Sequence, residues 1–321
     1  MQRRLTKAKG ILGHLCLAAA LLSCRTDGVP ADAYLQLTDR AFESMLVEKG
    51  VDGKGLVDGR ILRADVLATT RLDLTGLGQD AENGMPVDLG DLGFFENITF
   101  LKMGGQKRIA SVDLSNNLKL DTLQVLPSAI SELDLSANLE LRFLLFSSSK
   151  TDTLNLAGNG KLTHIEIGST PLRSLVVSPA VERLICGGAR IKSLDLSNAP
   201  NLTSLTFVGS NLESIDLSSN YRLEFVDLTY NYLKELKLPT AYCRDMVIDE
   251  LHLEKNRNSL KMVCVCDEYQ ANANLLRKLY IPVYANYPWE YAWTADASAV
   301  FEQCGEAAGQ KETTLSKNKG Q

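Results

Sequence analysis

The chain has 321 residues, of which 45% are hydrophobic, 23% charged and 7% aromatic. That is globular composition, long enough for one elongated domain or two compact ones. A formal net charge of −5 argues against nucleic acid as a partner and carries no information about fold.

At the N-terminus, MQRRLTKAKG carries Arg3, Arg4, Lys7 and Lys9, and an apolar run, ILGHLCLAAALL, follows. A basic stretch before a short apolar run is the pattern of a secretory signal, and this run falls short of the ~20 residues a membrane-spanning helix needs. It ends in Leu21-Leu22-Ser23-Cys24, which resembles the lipobox of bacterial lipoproteins. The resemblance implies cleavage after Ser23 and a diacylglycerol on the Cys24 thiol; an ordinary cleaved signal with an incidental cysteine is the alternative. Loss of residues 1–23 removes four basic and no acidic side chains from −5 and leaves about −9. Such a chain is not drawn to anionic membrane by its own surface, so the lipid anchor is the only membrane contact expected. The expected location is the cell envelope, lipid-anchored to the outer membrane and surface-exposed. Arg25-Thr26-Asp27 sets one acid beside one base, which leaves the periplasmic face open. Residues 24–37 then read as an anchor linker.

Residues 38–70 read as a helical N-terminal cap. LTDRAFESMLVEKG predicts a helix from about Asp39 to Lys49, with Thr38 as N-cap, Gly50 as terminator and Phe42, Met45 and Leu46 on one face. The next stretch, VDGKGLVDGRILRAD, resembles a calcium-binding EF-hand loop around Gly59. Lys54 and Leu56 then fall on ligand places that require carboxylates, so a structural turn is the expectation and no metal is assigned.

Beyond the cap, apolar-x-apolar triplets recur. Their last residues are Met103, Leu114, Val125, Leu135, Phe146, Leu156, Ile167, Val177, Cys186, Leu196, Phe207, Leu217, Leu228 and Leu238, and every step is within one residue of ten. Period-two alternation makes each triplet a short strand with one apolar side, and stacking the strands builds a shared core. Two steps span about 21 residues, within the range of leucine-rich repeats. Asn117, Asn138, Asn159, Asn220 and Asn231 fit turns in which a side-chain amide satisfies backbone groups.

The pattern resembles the leucine-rich repeat family, and within it the 21-residue IRREKO class with a nested half repeat. VERLICGGARIKSLDLSNAP, residues 181–200, follows that class except at Ala189, where the class usually has Asn. The likeness runs over roughly residues 98–240, with an earlier fragment at Arg71-Leu72-Asp73-Leu74. It implies an α/β solenoid, a right-handed superhelix of short parallel strands, with repeats over 71–240 between the helical N-terminal cap and a mixed C-terminal cap over 241–304. It also implies protein recognition, as in internalin-like surface proteins.

Two columns of middle residues are candidates for binding. One reads Asp113, Asp134, Asn155, Val176, Asp195, Asp216 and Lys237. Neighbouring Asp residues ~5 Å apart repel by only ~0.8 kcal/mol in water, which Ser115, Ser136, Ser197 and Ser218 can offset by hydrogen bonding. A solvated ladder is expected, and binding of a cation or a basic ligand is the rival. The other column reads Gln124, Leu145, Glu166, Ile185, Thr206 and Asp227. Varied residues, with Leu145 and Ile185 among them, suit a protein-binding surface; irregular packing is the alternative.

In the C-terminal cap, DEYQANANLLRKLY predicts a helix with Asp267 as N-cap and Gln270 reaching back to it. Cys243, Cys264, Cys266 and Cys304 suggest one or two disulfides in an exported chain, with a Cys-x-Cys zinc site near His252 as the rival; Cys186 falls on a core position. In NYPWEYAW, Tyr287, Trp289, Tyr291 and Trp293 fall at strict period two. They read as cap core, or as a platform for stacking sugars. Residues 305–321 lack apolar periodicity and read as a disordered tail.

His164 and His252 are the only histidines beyond the signal, and neither sits in a nucleophile, phosphate-loop, zinc-protease or dinucleotide motif. No enzyme activity and no cofactor are expected. The expectation is a protein ligand on the second column; the alternatives are a glycan ligand on the C-terminal aromatics and a structural envelope protein without a discrete ligand.

Overall fold

The computed structural model describes residues 30–76, 88–104, 109–239, 248, 250–256, 260, 262–265, 292–295 and 300–303. The expected signal sequence, Cys24, Cys243, Cys266, Cys304, Tyr287, Trp289, Tyr291, the expected helix at 267–280 and the expected tail at 305–321 lie outside the described residues. Among the described residues, no helix is long and apolar enough to cross a membrane.

The chain winds as a parallel β-solenoid with strands on two sides. One side, the front sheet, has ten strands in the order Arg71–Thr75, Phe100–Gly104, Thr122–Ser128, Phe143–Ser148, His164–Gly168, Arg183–Gly187, Ser204–Val208, Phe225–Asp227, Glu250–Leu253 and Ala292–Ala295. The back side is split. Thr153–Asn155 pairs with Ser174–Val176, and a separate sheet joins Ser193–Asp195, Ser214–Asp216, Glu235–Lys237, Met262–Val265 and Val300–Gln303. Front-strand pairing puts Leu72, Leu101, Leu123, Leu144, Ile165, Leu184, Leu205, Val226 and Leu251 in one register column. All are buried, in one continuous core with the inward residues of the back strands. Full burial contributes ~1.5–3 kcal/mol per such side chain, which is why strands of three to seven residues persist.

Buried amides join one coil to the next. The Asn138 amide donates to the carbonyls of Leu114 and Asn117, both at 3.0 Å; Asn159 does the same to Leu135 and Asn138, and Asn220 to Leu196 and Ala199. In one coil without such an amide, the Ser178 hydroxyl donates to the Asn159 carbonyl at 2.8 Å. The opposite turns have their own ladder. Ser210, Asn231 and Asn256 accept from the N–H groups of Ala189, Leu212 and Leu233.

Before the front sheet, Tyr34–Gln36 pairs antiparallel with Arg60–Leu62, and two helices, α1 (Arg40–Glu48) and α2 (Arg63–Ala68), lie nearby. The cap of α1 is Asp39, whose Oδ1 accepts from the Phe42 N–H at 2.8 Å. Thr38, expected as the cap, donates its N–H and hydroxyl to Asp91 instead. Phe42, Met45 and Leu46 are buried, and Phe42 meets Phe95 edge-on at 6.1 Å. Buried Glu43 accepts from the N–H groups of Asp58, Gly59 and Arg60 at 2.8, 2.6 and 3.2 Å. The loop with EF-hand likeness is therefore shaped by backbone hydrogen bonds, and its Asp65 accepts from the Gly53 N–H.

The repeats were expected to stop at 240, but the parallel ladders run further. Glu250–Leu253 pairs with Phe225–Asp227, Ala292–Ala295 with Glu250–Leu253, and Met262–Val265 with Glu235–Lys237. Part of the stretch assigned to the C-terminal cap is thus solenoid strand.

Candidate protein-binding face

The residues of the second column come together. Gln124, Leu145, Glu166, Ile185, Thr206 and Asp227 pair in unbroken register across six front strands, with Asp73 and Lys102 on one side and His252 on the other. Their neighbours in sequence point into the core, so alternation turns these outward, and each is half-buried. Beside them runs a second outward column that sequence reasoning missed: Phe100, Thr122, Phe143, His164, Arg183, Ser204, Phe225 and Glu250. The same alternation carried the signal, since each stands one place before the first apolar residue of its triplet.

The two columns share an open depression of about 540 Å³, lined by His164, Glu182, Arg183, Ile185, Thr203, Ser204, Thr206, Glu224 and Phe225. Ile185 and Phe225 give it apolar patches, while Glu182, Arg183 and Glu224 place both signs of charge around them. Further along, His252 lies 5.8 Å from the Phe225 ring and 3.3 Å from a Glu250 carboxylate oxygen. Thr203, Ser204 and Thr206 lie between the two apolar residues, so the depression joins hydroxyl, apolar and charged groups.

The Asp column behaves differently. Asp113 and Asp134 lie outside strands, and Val176 pairs with Asn155; only Asp195 and Asp216 pair directly, with Lys237 next in register. Each Asp accepts from the N–H two residues on: Ser115, Ser136, Ser197 and Ser218 donate at 2.8–2.9 Å. Hydrogen bonds from the Ser197 hydroxyl and N–H hold the Asp195 carboxyl below its ordinary value. These aspartates close turns. Among the described residues, no group of three or more His, Cys, Asp and Glu is placed to hold a metal.

The Cys264 backbone pairs with Lys237 and Glu302 on the back sheet. The Trp293 backbone pairs with Leu251 on the front sheet.

Parallel strands on two sides, one stacked core and paired asparagine ladders decide the architecture. It is a parallel β-solenoid. No protein-family model and no curated protein matches the chain. Among solved structures it is similar to the functional domain of InlJ from Listeria monocytogenes, with TM-score 0.44, 16% identity, and coverage of 73% of this chain and 57% of that one. An internalin-like protein of the same organism gives TM-score 0.48 and 18% identity, with 72% and 71% covered. A leucine-rich repeat protein of Leptospira interrogans gives 0.31 and 15%, with 65% and 71% covered. The chain spans 57% of the length of the InlJ domain.

Proposed function

We propose that this protein is a non-enzymatic, lipid-anchored envelope protein that binds a protein partner through the outward face of its front sheet. The observation that carries the reading is the register column itself: six chemically varied residues, two of them large and aliphatic, held half-buried in line on a rigid sheet beside Phe143 and Phe225. A partner with hydrogen-bonding groups for Ser204 and Thr206, apolar contacts for Ile185 and Phe225, and charges for Glu182, Arg183 and Glu224 fits that surface. The helix α1, with Phe42 and Leu46 against the first coil, serves in this reading as the N-terminal cap, and the repeats belong to the 21-residue class. Lipobox-like Leu21-Leu22-Ser23-Cys24 supports the lipid anchor; placement at the outer membrane, facing outward, is part of the proposal.

The test places a photo-crosslinking amino acid at Thr206 on the front, and in a second chain at Lys237 on the back, in intact cells. A discrete protein adduct from position 206 that is lost in Leu145→Arg or Ile185→Glu chains of unchanged melting temperature supports the reading. Equal adducts from both positions, or none from 206, overturn it. Separately, Cys24→Ala releases the protein from the membrane fraction if the anchor is real; unchanged fractionation removes the lipoprotein half of the proposal.

A further inference from the structure

Three described residues other than glycine have positive φ: Ser169 at 50°, Tyr230 at 59° and Lys255 at 62°. All three occupy one repeat position, shared with Gly188 at 74° and Gly209 at 61°. Hydrogen bonds trace the column: the N–H groups of Ser169, Gly188, Gly209 and Tyr230 donate to the carbonyls of Gly187, Val208, Thr229 and Glu254 at 3.1–3.2 Å. Glycine occupies this backbone region without strain, whereas a side chain there is held against its preference. Two successive coils nonetheless place large side chains in it. The Lys255 ammonium lies over the Tyr230 ring, 4.5 Å from its centroid, and donates to the Tyr230 hydroxyl; Tyr230 is 53% exposed.

The edge beside this column is cationic in a chain whose net charge is −5. Lys192 and Lys234 flank Glu213 at 3.0 and 2.8 Å, so two ammonium groups share one carboxylate while keeping 74% and 66% of their side-chain surface in solvent. Exposed Arg190 adds a further cation. Two hollows of about 310 Å³ each lie on this edge. Gly209, Asn211, Tyr230, Tyr232 and Lys255 help to line one; Lys192, Asn211, Glu213, Tyr232 and Lys234 line the other. Tyr232 and Asn211 are common to both, so the hollows adjoin.

We propose that this edge binds an anionic polysaccharide, a sugar chain bearing carboxylate or phosphate groups. Adjoining hollows of equal size, divided by a ring, suit consecutive units of a chain molecule better than one small ligand. The tyrosine rings offer faces for sugar stacking, Asn211 offers both donor and acceptor, and the cations take the charges. An acidic peptide would use the cations and leave the rings and the bare Gly209 floor without a purpose. An anionic membrane would repel the acidic remainder of the chain. The site is separate from the front-sheet face and does not depend on the reading given to that face.

Full-length protein is titrated with polygalacturonate, with a phosphomannan, with neutral dextran, with polyglutamate and with phosphatidylglycerol vesicles. Expected is binding to polygalacturonate, phosphomannan or both, none to dextran, and weakening as salt rises. Lys192→Gln/Lys234→Gln lowers that affinity about tenfold or more, a loss of the size expected when charge-assisted contacts go. Tyr230→Gly also lowers it while the melting temperature holds, because glycine takes the same φ without strain; Ile185→Glu leaves it unchanged. Absence of binding to either polysaccharide, binding indifferent to these substitutions, or equal binding to polyglutamate or vesicles overturns the proposal.

Discussion

Asn138 links three coils, one through its side chain and one through its backbone carbonyl. Its amide donates to two carbonyls of the preceding coil, and its own carbonyl accepts from Asn159. Replacement by alanine removes one of the two hydrogen bonds that each carbonyl accepts, since Leu114 keeps the Asn117 N–H and Asn117 keeps the Leu120 N–H; each lost bond is worth ~0.5–1.5 kcal/mol. Asn138→Ala is therefore expected to lower stability by about 1–3 kcal/mol in urea unfolding; a loss below about 0.5 kcal/mol, the scatter of ordinary surface substitutions, would show that water replaces the amide without penalty. Glu213 illustrates the opposite case, an exposed group. Hydrogen bonds from Lys234 and then Lys192 hold its carboxyl down at about 2, from an ordinary 4.5. Because the folded value is depressed, the stabilisation is complete above pH 4.5 and disappears as pH falls through 2. A carboxyl-carbon NMR titration should place the Glu213 midpoint near the lower value, and Glu213→Gln should remove that component of acid sensitivity; a midpoint near 4.5 would mean that the lysines are not held in place.

Elements differ in how plainly the sequence announces them. The outward column of the front sheet was legible because period-two alternation fixes which residues face away from a core. Its companion column obeys the same rule, but it lies outside the apolar-x-apolar triplet that marks each strand in the sequence. The later strands were hidden by spacing: the front strands beginning at Phe225 and Glu250 start 25 residues apart, where Ser204 to Phe225 is 21, and the next begins only at Ala292. An insertion leaves the register of a ladder intact while erasing its period. The cap of α1 was displaced by one residue for a tertiary reason, since Asp91, 53 positions away, takes the Thr38 donors and frees Asp39 for the helix. Glu43 on the same helix depends on another long-range pairing invisible to local rules. With three N–H groups on one buried oxygen, Glu43→Ala should cost about 3 kcal/mol or more, near the upper end for hydrogen bonds to a charged group. Hydrogen exchange should rise first at residues 58–60; protection there equal to that of the unsubstituted chain would remove Glu43 from its assigned role.

At the scale of the molecule, a solenoid has no centre. Each front strand pairs only with the two beside it, so stability is a sum of coil and nearest-neighbour contributions and a local lesion should spread only as far as the interfaces carry it. Leu205 is the place to test this, because it is fully buried and paired with Leu184 on one side and Val226 on the other. Leu205→Ala should cost ~2–5 kcal/mol through lost burial and the cavity left behind. Its position makes the spatial pattern of the loss more informative than its size. If neighbour contacts dominate, amide protection falls most in Arg183–Gly187, Ser204–Val208 and Phe225–Asp227, less in His164–Gly168, and is unchanged in Arg71–Thr75. A uniform fall across all front strands would mean that the stack opens as one unit. The distinction bears on binding, since a face whose coils open independently can lose its partner through damage two coils away, whereas a cooperative face is lost only with the whole fold.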